Sequence, residues 1–339
     1  MSADARFVII GGSAIEGILL GQHRQVIDVI TKAYNLHGGG HSVNPDSYFL
    51  RFGQKPDARI IALPAYLAGD FNIAGLKWIS SFPGNIKHNL QRASAVLILN
   101  DFATGYPIAI LEASLISAHR TAASAALGAG ALTLNSRSVR KIGIIGAGVI
   151  ARQTLDYLLA DGWSAEEIAI HDQRPQDADR FALWVNEKGG QNACAVDDAR
   201  LSCEHAELII LATTAVEPYL VEPGLFAHAP TVLNISLRDI DPTLILAAQN
   251  VLDDVDHCLK ANTSPHLAEI KTGNRAFVAG TLYDVLSRRL LPDSDRARIF
   301  SPFGLGILDI ALGSFVLKAA RASGIEVEVD DFFASTARW

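Results

Sequence analysis

The pattern of apolar and polar positions changes character along the chain. From about residue 130 to 300, short β-rich runs alternate with segments of helical spacing. Lys141–Gly146 (KIGIIG) reads as a strand ending in glycine, and Val149–Ala160 (VIARQTLDYLLA) as a helix that stops at Gly162. Glu167–Asp172 (EIAIHD) predicts a second strand. Pro175 sits where a helix accepts proline in its first turn, and Gly189-Gly190 is expected to end that helix. Further strands are expected at Ala193–Val196, Glu207–Thr213, Thr231–Ser236 and Asn250–Val255. Strands alternating with helices predict βαβ units around a parallel sheet covered on both faces.

The first 120 residues follow a different rhythm. Ser47–Phe52, Ala58–Leu63 and Ala95–Asn100 are short strand-like runs separated by turn signals such as Phe82-Pro83-Gly84-Asn85. They predict a largely antiparallel sheet with flanking helices, a separate layer for substrate or dimerisation. Leu305–Ser323 reads as a long helix that returns to this first domain. The expected fold class is therefore α/β in two domains. Residues 126–304 form a Rossmann dinucleotide-binding domain, and residues 1–125 with 305–339 an α+β substrate-binding and dimerisation domain.

Bulk properties narrow the function classes. A length of 339 residues itself favours two domains. No uncharged apolar run of about 18 residues predicts a membrane span. A net charge of −7 and a pI near 5.8 argue against nucleic acid or an anionic membrane as the main partner. The opening stretch MSADARFVIIGGSAIEGILLG lacks a basic start and is broken by Gly11, Gly12 and Glu16, so it is not read as a secretory signal. Cys194, Cys203 and Cys258 have no metal or redox spacing and are expected to be buried thiols of a reducing cytoplasm. His37 and His41 in HGGGH suggest a metal pair only on a helix; the glycines between them predict a mobile loop, and no catalytic metal is expected.

The chemistry concentrates in a few places. Gly146-Ala147-Gly148-Val149-Ile150-Ala151 is a G-x-G-x-x-A turn between a predicted strand and a predicted helix. Gly146 permits the tight turn, Gly148 lets backbone approach a pyrophosphate, and Ala151 keeps helix and strand close. Asp172 ends the next strand, where a carboxylate accepts hydrogen bonds from the adenosine ribose and repels a 2′-phosphate. The expected cofactor is NAD, although Arg174 nearby is placed to soften discrimination against NADP. Thr213 and Thr214 end a later strand at the carboxyl edge, either as cofactor contacts or as simple strand termination.

Four charged residues interrupt apolar settings: Arg51 in SYFLRF, Lys77 in AGLKWIS, Arg120 before TAASAALGAGAL, and Asp239 in LRDID. Singly, each fits a structural ion pair or a snorkelling side chain. Together they offer two guanidiniums, an ammonium and a carboxylate base, a set suited to a small anionic amino acid beside a nicotinamide ring. Arg92, just before AVLILN, is either a third anion contact or a surface charge.

The stretches AGLKWISSFPGN, LNDFATGYPIAILEASLISAHRTAASA, IGAGVIA and LNISLRD resemble the ornithine cyclodeaminase/μ-crystallin family across nearly the whole chain. SYFLRFGQKPDARIIALPAYL, LDDVDHCLKANTSPHLAE and IFSPFGLGILDIALGSFVLKAA are similar to its branch in 2,3-diaminopropionate biosynthesis. The resemblance implies an enzyme that uses NAD and water to split N-(2-amino-2-carboxyethyl)-L-glutamate into 2-oxoglutarate and L-2,3-diaminopropionate. That substrate comes from a partner PLP-dependent synthase, and the product enters siderophores or peptide antibiotics. The resemblance further implies Arg51 and Arg120 as carboxylate-binding arginines, Lys77 as the active-site lysine, and Asp239 as the handler of water and protons. Thr121 would reach the cofactor phosphates, with Gly146, Gly148, Val149, Ile150, Asp172, Thr213, Thr214 and Ser236 around the cofactor. A cytoplasmic homodimer through the N-terminal sheet is implied as well. Around Asp239 the chain departs from the cyclodeaminase pattern, with NISLR before it and Ile240-Asp241-Pro242 after. The same residues also suit an ornithine cyclodeaminase that recycles NAD, an imine reductase, or a μ-crystallin-like binding protein.

Overall fold

The computed structural model describes residues 6–189 and 191–334. Gly190, the first five residues of the opening stretch and the last five of the chain lie outside the described residues. The chain divides into two compact units: one runs up to Arg120 and resumes at Leu305, the other is Thr121–Gly304. The boundary falls inside the helix Ser114–Leu132.

The Thr121–Gly304 unit is built on an eight-stranded sheet whose pairings are all parallel. Its order is Ala193–Ala195, Ser164–His171, Ser138–Ile145, Leu208–Leu211, Thr231–Asn234, Arg298–Ser301, Gln249–Leu252 and Val278–Thr281. The chain starts at Ser138–Ile145, winds outward to one side, then returns to Leu208–Leu211 and winds to the other. The carboxyl ends of those two neighbours are the switch point at which doubly wound sheets bind ligands. Leu208–Leu211, Thr231–Asn234 and Gln249–Leu252 are buried at every position, as a sheet covered on both faces requires. The helix after Arg174 spans Pro175–Lys188, with proline in its first turn.

Two of these strands escape the hydrophobic pattern. Val278–Thr281 and Arg298–Ser301 are four residues each with only two adjacent apolar positions, too short a run to read as a strand. Cys203 and Cys258 are buried free thiols, but Cys194 is exposed. It occupies the outward position of the edge strand Ala193–Ala195, where side chains alternate between faces.

The other unit carries a second eight-stranded sheet. Pro107–Glu112, Ala93–Asp101, Ile73–Ser81 and Lys55–Leu67 are antiparallel neighbours, and Tyr48–Phe52 and Ser42–Val43 both pair with Lys55–Leu67. Val8–Ile10 adds to Pro107–Glu112 in parallel. The run expected at Ala58–Leu63 is part of a thirteen-residue strand. Paired residues share a face, and odd-numbered positions such as Leu63, Leu97, Leu99 and Leu111 are buried. The helix Gly306–Ser323 covers that face, buried continuously from Gly306 to Ser314. Gly313 permits the close approach, since a Cβ there would lie 2.2 Å from Leu97 Cδ2.

The HGGGH stretch is a helix end rather than a loop. The helix His23–Gly38 includes His37, and Gly40 then takes a φ of +78°, which lets His41 N–H donate to the Leu36 carbonyl at 2.8 Å. Phe82-Pro83-Gly84-Asn85 leads into the 3-10 helix Pro83–His88. Among the described residues, no helix is long and apolar enough to cross a membrane, and no three His, Cys, Asp or Glu side chains are grouped to hold a metal ion.

Candidate active site

In the antiparallel unit, alternation on Ile73–Ser81 points Lys77 to the covered face, where it is 1% exposed. A lysine buried that deeply needs a counter-charge. Asp309, on the covering helix and fully buried, supplies it: Nζ lies 2.7 Å from Oδ2. The better-aligned hydrogen bond from Nζ goes to Ser117 Oγ at 3.2 Å. Arg120, one turn further along the same helix as Ser117, donates Nε to Asp309 Oδ1 at 3.1 Å. Two cations thus meet one carboxylate, which leaves a surplus positive charge when Lys77 is protonated. Burial, followed by the nearby Arg120 charge, brings the Lys77 ammonium down to about 8, while Asp309 opposes the shift. The cluster can hold an anion and exchange a proton near neutral pH.

Arg51 is not part of this cluster. It is exposed on Tyr48–Phe52, with its guanidinium 5.2 Å from the Phe49 ring centroid. Arg92 is half-buried at the bend before Ala93 and donates Nη1 to Ser81 Oγ at 2.7 Å. Asp309 escaped the reading of the sequence. The signal was present, since it is the sole charge in LGILDIALGSF.

In the parallel unit, Gly146 ends the strand Ser138–Ile145 with a φ of +99°. A Cβ there would lie 2.4 Å from the Ala212 carbonyl oxygen, so backbone conformation and neighbouring backbone both demand glycine. Gly148 starts the helix Val149–Ala160 with no side-chain cap, and nothing lies within 4 Å of where its Cβ would be. Val149 is exposed and Ile150 half-buried in that first turn. Asp172 Oδ2 accepts from Ala147 N–H at 2.7 Å and Oδ1 from Arg174 N–H at 2.9 Å, which holds the carboxylate beside the glycine turn. An uncapped helix start, open space at Gly148 and a fixed carboxylate fit a dinucleotide's pyrophosphate and ribose. The Arg174 guanidinium is engaged with Asp177 in an ion pair.

A second group forms where the next strands end. Asp239 is fully buried and accepts from Thr213 Oγ1 at 2.8 and 2.9 Å and from Tyr219 OH at 3.1 Å. Thr213 N–H donates to Ser236 Oγ at 2.7 Å. Burial raises the Asp239 carboxyl above the usual range, and the hydroxyls of Thr213, Ser236 and Tyr219 offset part of that rise. Thr213 and Ser236 therefore position Asp239. Thr214 is exposed, and Thr121 lies half-buried next to Arg120 on its helix. Within LRDID the two aspartates separate in role: Asp241 caps the helix Pro242–Ala247 through Thr243 N–H, and only Asp239 turns inward. Tyr219 gave no periodic signal, because it contributes one hydroxyl from an irregular segment.

The chain is similar to known proteins over most of its length. The chain matches the ornithine cyclodeaminase/mu-crystallin family over residues 15–324. It is 32% identical to an N-((2S)-2-amino-2-carboxyethyl)-L-glutamate dehydrogenase from Staphylococcus aureus, over 90% of this chain and 93% of that protein. It is 26% identical to an alanine dehydrogenase from Archaeoglobus fulgidus, over 91% and 94%. A Thermococcus litoralis Δ(1)-pyrroline-2-carboxylate reductase, solved in complex with NADH and L-proline, shares the fold. Its TM-score is 0.87 at 24% identity, covering 95% of this chain and all of that one. The chain belongs to the ornithine cyclodeaminase/mu-crystallin family.

Proposed function

We propose that this chain is an NAD-dependent dehydrogenase acting on a carbon–nitrogen bond of an anionic amino acid, with N-(2-amino-2-carboxyethyl)-L-glutamate as its substrate. The observation that carries the reaction class is the buried Lys77–Asp309–Arg120 cluster, which combines a surplus positive charge with a proton acceptor near neutrality. The substrate is supported by the likeness to the S. aureus enzyme. Gly146, Gly148, Val149, Ile150 and Asp172 would hold the dinucleotide, with Thr121 toward its phosphates and Thr214 and Ser236 at its edge. NAD, when bound, supplies the acceptor for a hydride.

The chain's own groups account for the remaining steps. Arg120 holds a substrate carboxylate beside the reacting carbon and Arg51 one farther along the sheet, and the two together orient that carbon. Lys77 takes the proton of the secondary amine, because a protonated nitrogen has no lone pair to release. Loss of that proton and of the glutamate α-hydrogen with its electron pair leaves a carbon–nitrogen double bond. Asp239 removes a proton from water as the water adds to that carbon. Asp239 returns that proton to the nitrogen. The hydroxyl loses its own to solvent as the carbon–nitrogen single bond breaks, which gives 2-oxoglutarate and L-2,3-diaminopropionate with one NAD reduced per turnover. This makes the chain a cytoplasmic partner of a PLP-dependent synthase that supplies the adduct, in a route to a siderophore or peptide antibiotic.

The test is direct. Protein, NAD and synthetic adduct should yield NADH and 2-oxoglutarate in equal amounts. Ammonia and proline from ornithine, with no NADH from the adduct, would overturn the reading.

The even-numbered face of the antiparallel sheet supports a homodimer. Tyr48, Ala62, Trp78 and Val96 form one row across four strands, with Tyr48 68% and Trp78 39% exposed. An open apolar sheet face of this kind suits a second copy of the chain. Light scattering should give twice the chain mass, and Trp78→Glu should shift it toward the single-chain mass. An unchanged dimer in that variant would refute the assignment of this face.

A further inference from the structure

The odd-numbered face of the antiparallel sheet carries more than the Lys77 cluster. Arg51 pairs across the strands with Arg59, and Arg59 with Ser81, so all three project to the same face as Lys77. Arg92 brings its guanidinium to the same row through the 2.7 Å hydrogen bond to Ser81 Oγ. Ser81 and Lys77 are on one strand, four residues and therefore about 13 Å apart. Three guanidiniums thus gather at one end of a face whose middle holds Lys77, with Arg120 beside it on Asp309.

Arg92 is distinctive within this row. Arg137, Arg174, Arg200, Arg275 and Arg289 each sit against a carboxylate, whereas Arg92 has a neutral hydroxyl. Among the described residues, neither Arg92 nor Arg51 forms an ion pair. Burial also pushes the Arg92 guanidinium below its ordinary range, the mark of a cation partly removed from water without compensation. Ser81, itself buried, fixes the direction in which the planar fork faces. A desolvated fork with fixed direction and no counter-charge is what a ligand carboxylate completes.

We infer that Arg92, oriented by Ser81 and flanked by Arg51 and Arg59, is a specificity-determining anion station that selects substrates with a second carboxylate remote from the reacting carbon. The inference rests on the dehydrogenase reading above and deepens it. A monocarboxylic amino acid satisfies only the Lys77–Arg120 part of the face. An amino acid with carboxylates at both ends satisfies both, and the proposed adduct carries three.

The experiment compares 2-oxoglutarate with pyruvate, which share the keto-acid end and differ in the distal carboxylate. Thermal-shift titrations of wild-type protein and Arg92→Gln, each with and without NADH, give the two dissociation constants. Wild type should bind 2-oxoglutarate more tightly than pyruvate. Arg92→Gln should weaken 2-oxoglutarate by about tenfold or more and leave pyruvate within about twofold, the scale of one lost charge-assisted hydrogen bond. Equal weakening of both ligands, or of neither, overturns the station. Arg51→Gln alters an exposed side chain and serves as the second variant if Arg92→Gln lowers the unliganded melting temperature; it should weaken 2-oxoglutarate selectively too. The two proposals fail separately. A 2-oxoglutarate preference lost in Arg92→Gln, in a protein that leaves the adduct unoxidised, keeps the station and removes the reaction. An oxidised adduct whose KM is unchanged in Arg92→Gln keeps the reaction and removes the station.

Discussion

The glycine turn of the parallel unit and the charge cluster of the antiparallel unit are built by opposite means. The turn works through backbone: a strand end, a left-handed glycine, an uncapped helix start, and one carboxylate held by two N–H groups. Its parts lie close in sequence, with Ala147 and Asp172 25 positions apart. The cluster works through side chains drawn from separate elements. Lys77 and Ser117 are 40 positions apart, and Arg120 and Asp309 are 189 apart. Backbone sites tolerate side-chain change wherever there is room for it. A buried charge cluster tolerates little, because each charge sets the energy and protonation of the others.

The sharpest way to break this contrast is to damage each region once and read both functions. Lys77→Met keeps the buried volume and leaves Asp309 paired with Arg120. It should lower kcat/KM for the adduct by about 10² to 10⁴, the range for losing a proton-transfer group, and leave NAD affinity unchanged by fluorescence titration. Gly146→Ala should do the reverse. The added Cβ meets the Ala212 carbonyl oxygen at 2.4 Å in a backbone region that disfavours alanine. NAD affinity and melting temperature should both fall. Comparable loss of NAD affinity in the two variants would show that the regions are not separable as described.

The same contrast governs what could be read from sequence. The turn was legible because strand, glycines, helix and acidic residue all fall within one short window. Lys77, Arg120 and Asp239 were legible as charges in apolar runs, but their partners were not. Asp309 shows the same signature inside the C-terminal helix, yet its link to Lys77 depends on that helix lying across the sheet. Thr213 and Ser236 end strands where a dinucleotide is expected, and only the structure shows that they engage Asp239. Arg59 sits in an alternating strand, where its pairing with Arg51 and Ser81 is a matter of register. Register is decided by turns and by what covers each face, so a single strand's sequence does not reveal it.

The smallest expected effect is also the most specific to the cluster. Lys77 acts as a proton acceptor only when neutral, so kcat/KM should rise with pH through about 8 and level off above it. Arg120 helps hold Lys77 down, whereas Asp309 raises it. Arg120→Gln removes a nearby positive charge, so Lys77 keeps its proton longer and the rising limb should move to higher pH, by about one pH unit. Asp172→Asn removes a charge of the other region and should leave the limb in place. Replacing Asp309 is a poorer probe, since stranding two buried cations costs about 3–5 kcal/mol of stability. A limb that stays put, or moves to lower pH, in Arg120→Gln would mean that the titrating group is not Lys77. A limb that follows Asp172→Asn would assign the proton step to the backbone-built site.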